Sequence, residues 1–363
     1  MMLTPELFIQ HFFNALALGS LYGLIAIGYT MVYGILRLIN FAHGDIFMLG
    51  AYFVFFSTIA FMPAWLAALL VAIALLIMFT TFRDKSKATP AWYWGAQALL
   101  LGLAGYYGFI SPVEFQPPWV LAVFFAIAVT SACGIVVDRV AYQPLRDAPR
   151  ISALISAIGI SFLIENLGVV VFSGLPRAVR QPDMLVKPII ANISAITGNA
   201  DSVVRISPMA LIVPSVSLLL VSGLLWIIYR TKPGLAMRSI SKDIETTRLM
   251  GVSVNKVIAL TFALGSALAA ASGIMWALRY PQIHPYMGVL PGFKAFIAAV
   301  FGGIGSIHGA MLGGLILGFI EVFITATFPA LSGYRDAFAF VLLIVILLWK
   351  PTGIMGARTE EKI

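Results

Sequence analysis

Apolar runs of about twenty residues recur along almost the whole chain, and this spacing restricts the fold more than any other feature. A helix of that length just crosses the hydrocarbon of a bilayer, about 30 Å at 1.5 Å per residue. The runs fall at 7–34, 41–60, 64–82, 91–110, 119–138, 151–173, 207–229, 255–278, 288–306, 309–329 and 334–350. The stretch 64–110 reads as a pair of spans or as something shallower, and the glycine-broken run at 288–306 as a span or as a segment that enters and returns. Charged residues make up 10% of the 363 residues, against about a quarter in soluble domains, and 61% are hydrophobic. The expected fold is therefore an all-α polytopic membrane protein, one domain over 1–363 with about 9–11 transmembrane helices.

Charge orients the bundle. Grouping Arg37, the 83–87 run, the 139–150 loop, the central loop with Lys256, and the C-terminal tail on one side collects 16 of the 23 lysines and arginines. By the positive-inside bias that side is cytoplasmic, which puts the N-terminus outside and the C-terminus inside. The net charge of +8 raises the question of nucleic acid, but the basic residues lie in short loops between apolar runs, so nucleic acid is not an expected partner. The single cysteine, Cys133, allows neither an internal disulfide nor a thiolate cluster. Glu6 and the lack of an N-terminal basic cluster argue against a cleaved signal, so the first span is expected to be kept.

One long polar stretch, 230–254, separates two spans. Pro233 and Gly234 break what precedes them, and a single helix is expected from Leu235 to a stop at Gly251. It would carry Met237, Ile240 and Ile244 on one face and Arg238, Lys242 and Glu245 on another. Such a helix either merely connects two spans or lies under the membrane with its charged face open to a partner.

The sequence GLAMRSISKDIETTRLMGVSVNKVIALTFALGSALAAASG resembles the cytoplasmic loop and following helix of the permease subunits of branched-chain amino-acid ABC transporters, the LivH type. Further similarity lies in LRLINFAHGDIFMLGAY, in DRVAYQPLRDAPRISALISAIGISFLIENL, in GGIGSIHGAMLGG, where His308 replaces the usual proline, and in KPTGIMG. Together the similar segments cover 7–60 and 138–356. The resemblance implies that 230–254 is the loop such permeases insert into a cleft of the ATPase, with Arg238, Asp243, Glu245 and Gly251 as coupling residues. Thr246 stands where the family has a small residue. It further implies a second, homologous permease subunit, two cytoplasmic ATPase subunits that carry ATP and magnesium, a periplasmic amino-acid-binding protein, and a bacterial inner membrane as location. No cofactor is expected in this chain. Residues 61–118 depart from the shorter family members and read as an extra helical hairpin, with Trp92, Tyr93 and Trp94 as an interfacial anchor.

Candidate pathway residues follow from the polar groups inside apolar runs. Asn40 is placed to cap the second helix, with Asp45 in its first turn, and His43 and Asp45 are either a satisfied polar pair or contacts for a substrate. Ser161, Glu165 and Gly168, at i, i+4 and i+7, form a stripe that has to face protein or water; Glu165 is a functional group or a helix-to-helix hydrogen bond made by it or by Asn166. Gly314, Gly318, Glu321 and Thr325 share a face, which directs Glu321 into a seam of small residues. Gly19, Gly23, Gly28 and Gly34 allow close helix approach in the first span. The external loop, 174–206, either meets the binding protein or is simply solvated. Two other classes remain. An ion-coupled carrier would use Asp45, Glu165 and Glu321 as proton sites, and would work alone. An intramembrane enzyme is not expected, because His11, His43, His284 and His308 lack metal-ligand spacing and no Walker motif or serine elbow is present.

Overall fold

Thr4 caps the first helix by accepting the Leu7 amide, Pro5 starts it, and Arg37 ends it in the left-handed region at φ 55°. This helix, α1 (Pro5–Leu36), is 32 residues long and lies almost wholly inside the protein, so it is the post around which the others pack rather than a wall against lipid. The computed structural model describes residues 4–58, 119–146, 148–193, 202–350 and 352–356, with isolated positions at 73, 95, 98, 101 and 102. The hairpin expected over 61–118 and the anchor at Trp92–Trp94 thus lie outside the described residues.

After α1 come α2 (His43–Thr58), α3 (Trp119–Val137), which continues in distorted turns to Leu145, and α4 (Arg150–Phe172). Then follow α5 (Pro208–Arg230), α6 (Lys232–Lys242), α7 (Ile244–Leu249), α8 (Val254–Arg279), α9 (Val289–Gly302), α10 (Ile307–Thr327) and α11 (Arg335–Trp349). Among the described residues seven helices are long and apolar enough to cross a membrane, which agrees with a polytopic all-α protein. Short strands occupy only the connections. β1 (Arg177–Ala178) pairs antiparallel with β4 (Gln282–Ile283), and β2 (Ile189–Asn192) pairs antiparallel with β3 (Val203–Ile206).

Small residues set the packing of α1. Gly19 faces Leu315 so closely that a Cβ would stand 2.7 Å from the Leu315 Cα, and Gly314 and Gly318 lie directly on the backbones of Gly23 and Gly19. Gly28 is filled by the His43 ring, whereas Gly34 has no neighbour nearer than 4.0 Å, so three of the four glycines expected to pack closely do so. The alanine-, glycine- and serine-rich α8 crosses α2 with Gly273 against Phe47, and Ser272 Oγ donates to the Leu21 carbonyl at 3.2 Å.

The run at 288–306 is not a full span. Its helix, α9, has 14 residues, about 21 Å of rise against about 30 Å of hydrocarbon. Gly303, at φ 109°, turns the chain, and α10 starts at Ser306, whose hydroxyl accepts the Gly309 amide at 3.1 Å. The tail seals this turn, since Ile354 N donates to the Phe301 carbonyl and Met355 N to that of Gly302.

Candidate functional site

The polar stretch between α5 and α8 forms a corner, not one helix. Thr231 ends α5 and its hydroxyl accepts the Gly234 amide at 3.3 Å; Gly234 lies against the carbonyls of Ile227 and Ile228, where no side chain fits. Where a single helix was expected from Leu235, the chain breaks at Asp243, which is extended at φ −156° and ψ 110°. The reason is a cap: Asp243 Oδ1 accepts the Thr246 amide at 3.1 Å and starts α7. Gly251, at φ 83°, ends the corner as expected.

The two faces of this corner differ. Gly234, Met237 and Ile240 are buried, and Met237 and Ile240 join one cluster with Val32 and Ile35 of α1, Tyr142, and Val257, Ile258 and Phe262 of α8. On the other side Arg238, Asp243, Glu245 and Gly251 are exposed, Arg238 lying over the Tyr229 ring at 5.4 Å. Between them stand Leu249 and Met250, 86% and 80% exposed, which the sequence reading did not single out. Two adjacent apolar residues just before a glycine in an otherwise polar stretch were the available signal.

The same end of the bundle is tied together. Arg146 pairs with the buried Asp138 at 2.6 Å and with Asn255 Oδ1 at 2.5 Å, joining the 138–146 turn to the start of α8. The Tyr142 ring lies 5.4 Å from that of Phe262, and its hydroxyl donates to Asn40 Oδ1 at 2.8 Å. A contiguous set of contacts thus runs from the buried face of α6 to the residues just before α2. Asn40 does not cap α2 with its side chain; its carbonyl accepts the His43 amide, its Oδ1 is taken by Tyr142 and its Nδ2 has no partner.

Nor do His43 and Asp45 pair. The His43 ring is pressed against Gly28 and stacks edge-on to Tyr29 at 4.8 Å. Asp45 instead accepts from Ser161 of α4 at 2.5 Å. Beside them Gly44 meets Gly288 and Gly292, so that the first turns of α2 and α9 touch; a Cβ on Gly44 would be 2.6 Å from the Gly288 carbonyl. Gly168 is buried against Met48 and Pro285, while Glu165 is partly open and Asn166 bonds within its own helix, to the Phe162 carbonyl at 2.7 Å.

Glu321 belongs to a separate group. One of its oxygens accepts from the Tyr22 hydroxyl at 2.9 Å and the other pairs with Lys294 at 2.9 Å, and Lys294 also meets Asp336 at 2.6 Å in the first turn of α11. The side chains of Lys294 and Glu321 are 7% and 9% exposed. Lys294, which is not among the sixteen basic residues grouped on the cytoplasmic side, is an interior residue and its partner was not found from sequence. The available signal was an isolated lysine in a glycine-broken apolar run.

At the far end from the corner, the described parts of the 174–206 loop are docked. Ser202 Oγ donates to Glu6 Oε1 at 2.7 Å, and Val204 and Ile206 pack with Ile9 and Phe13 of α1. Met184 and Ile190 stay 81% and 67% exposed on it. Among the described residues no group of three or more His, Cys, Asp or Glu could hold a metal ion.

Residues 11–83 and 96–347 match the family described as branched-chain amino acid transport system, permease component. The chain is 40% identical over 362 residues to the high-affinity branched-chain amino acid transport system permease protein BraD of Pseudomonas aeruginosa, covering 99% of this chain and 100% of that protein. It is 38% identical over 357 residues to the permease protein LivH of Escherichia coli, covering 98% of each. The autoinducer 2 import system permease protein LsrC of Shigella flexneri is 26% identical over 304 residues, 80% of this chain and 78% of LsrC. No solved structure matches.

Proposed function

The chain belongs to the family of branched-chain amino acid transport system permease components, and on that premise we propose that it is the membrane-spanning subunit of an ATP-binding-cassette importer moving hydrophobic, branched-chain amino acids into the cytoplasm. It works by alternating access in a bacterial inner membrane, N-terminus outside and C-terminus inside. Its partners are a second, homologous permease subunit, two cytoplasmic ATPase subunits and a periplasmic binding protein. The nucleotide and its magnesium ion belong to the ATPases, and this chain supplies no bond-breaking chemistry.

The observation that carries this proposal is the two-faced corner at 230–254. Its outer face offers Arg238, Asp243, Glu245, Leu249, Met250 and Gly251 to a partner, while Met237 and Ile240 are packed on α1 and α8. A push on the corner therefore acts on two helices that run the height of the bundle, and through Tyr142 and Asn40 on the start of α2. ATP shifts the bundle only as far as the closed ATPase pair prefers one of its states. The exposed Met184 and Ile190 support docking of the binding protein at the other end. For the pathway the supporting groups are Asp45, Ser161 and Glu165 between α2 and α4, with Asn40 and His43 near their start; Glu321 serves in the Lys294 network.

Proteoliposomes test this. The assembled transporter is expected to accumulate leucine with ATP and the binding protein, with isoleucine and valine as competitors and urea and acetamide without effect. The purified chain alone is expected to move no leucine under a proton gradient. Uptake by the chain alone would replace the ATP-driven mechanism with an ion-coupled one, and competition by urea would replace the substrate.

A further inference from the structure

The helix α4 has two unlike faces. Ala153, Ala157, Gly168 and Phe172 are buried, with Gly168 lying on Met48 of α2, whereas Ile155, Gly159, Phe162, Asn166 and Val170 form a stripe on the opposite side and are exposed. Lipid alone covers such a stripe where it is apolar throughout. The outer sides of α3 and α11 meet that condition, because every exposed side chain beyond their first turns is apolar, Phe124 and Ala128 on α3 and Phe340, Val341 and Ile344 on α11 among them.

On α4 the condition fails at Asn166. Its amide gives one hydrogen to the Phe162 carbonyl at 2.7 Å, which leaves the second N–H and the Oδ1 acceptor without a partner among the described residues. Asn166 stands six residues before the end of the helix at Phe172, about 9 Å inside the span. A polar side chain at that depth is costly against lipid and faces protein or enclosed water instead. Glu165, half-buried at the edge of the stripe, has no paired cation among the described residues. Two turns away Gly159 has open space where a Cβ would stand, so another helix can approach its backbone closely.

Depth selects the occupant. A soluble ATPase or binding protein reaches only the ends of a span, so the group that meets Asn166 belongs to another membrane-embedded chain. A carboxamide with one free donor and one free acceptor is complementary to its own kind, and two of them facing each other across a two-fold axis exchange two hydrogen bonds. We propose that the stripe from Ile155 to Val170 on α4 is the surface on which the second, homologous permease subunit packs, with Asn166 hydrogen-bonded across the interface to the corresponding helix of that subunit. This rests on the permease reading above and deepens it by naming the face through which the two subunits meet.

The test uses the assembled transporter in proteoliposomes, each kind of subunit carrying its own tag, with the photoreactive residue p-benzoylphenylalanine placed at position 155, at 162 or, as a control, at 344 on α11. Illumination is expected to join this chain to the second permease from 155 and 162, and from 344 about tenfold less or not at all. Asn166→Leu is expected to weaken retention of the second permease in detergent about tenfold while leaving the unfolding midpoint of the isolated chain unchanged, and Asn166→Gln is expected to weaken it much less. Crosslinks to a second copy of this chain, to sites within this chain or to lipid alone would overturn the stripe as the seat of the homologous subunit. Full retention with Asn166→Leu would overturn the bond assigned to Asn166. Wild-type transporter showing no ATP-driven leucine uptake would instead overturn the permease reading itself.

Discussion

Lys294→Met is expected to destabilise the protein by about 3–5 kcal/mol, because it strands Glu321 in the interior with Tyr22 as its one remaining close partner. Arg335 does not replace the lysine, as it is 57% exposed and 3.9 Å away. Asp336 suffers less, being one-third exposed and in the first turn of α11, where a negative charge is favoured. The prediction is sharpened by the double variant Lys294→Met with Glu321→Gln. A neutral amide can still accept from Tyr22, so most of the lost stability is expected to return. Thermal unfolding in detergent distinguishes the cases: a low midpoint for the single variant and a near-normal one for the double variant. Equal midpoints for wild type and Lys294→Met would mean that the three charges do not hold α9, α10 and α11 together.

The second large effect concerns the corner between α6 and α8. Gly251 sits at φ 83°, a region costly for a β-branched residue by about 1–2 kcal/mol or more, and no neighbour crowds it. Gly251→Val is therefore expected to leave the bundle folded but to turn the exposed tip of Leu249 and Met250 away from the ATPase. Leucine-stimulated ATP hydrolysis by the assembled transporter is expected to fall by about tenfold or more, corresponding to the loss of only about 1.4 kcal/mol of coupling. Asparagine tolerates this backbone region, so Gly251→Asn is expected to keep much of the stimulation. Glu245→Ala leaves the backbone alone and removes one exposed carboxylate, and is expected to reduce the stimulation without changing unfolding. Full stimulation in both Gly251→Val and Glu245→Ala would remove the corner from the mechanism.

The hydrocarbon thickness makes spans legible in a sequence, so the long runs that became α1, α4, α5, α8 and α10 could be read directly. Gly251 was legible for a similar reason, since little else ends a helix that way. What a one-dimensional pattern does not carry is pairing between distant helices. Tyr22 and Glu321 are 299 residues apart, and counting charges by side has no means of placing a lysine such as Lys294 inside the bundle. The break at Asp243 had a local signal, an aspartate three residues before Thr246, which can cap as well as continue a helix. The pairing of His43 with Asp45, one of the two readings of these residues, failed because the two side chains leave the first turn of α2 in different directions, one to α1 and one to α4. Length corrected the run at 288–306, whose glycines turn the chain before a full crossing is reached.

The account depends on the bundle being driven from the cytosol through residues 235–250. A single cysteine at Glu245, in a Cys133→Ser background, exposed to a membrane-impermeant maleimide in sealed vesicles of known orientation, tests this directly. Labelling in inside-out vesicles, suppressed when the ATPase subunits are bound, is the expected result. Labelling in right-side-out vesicles would contradict it.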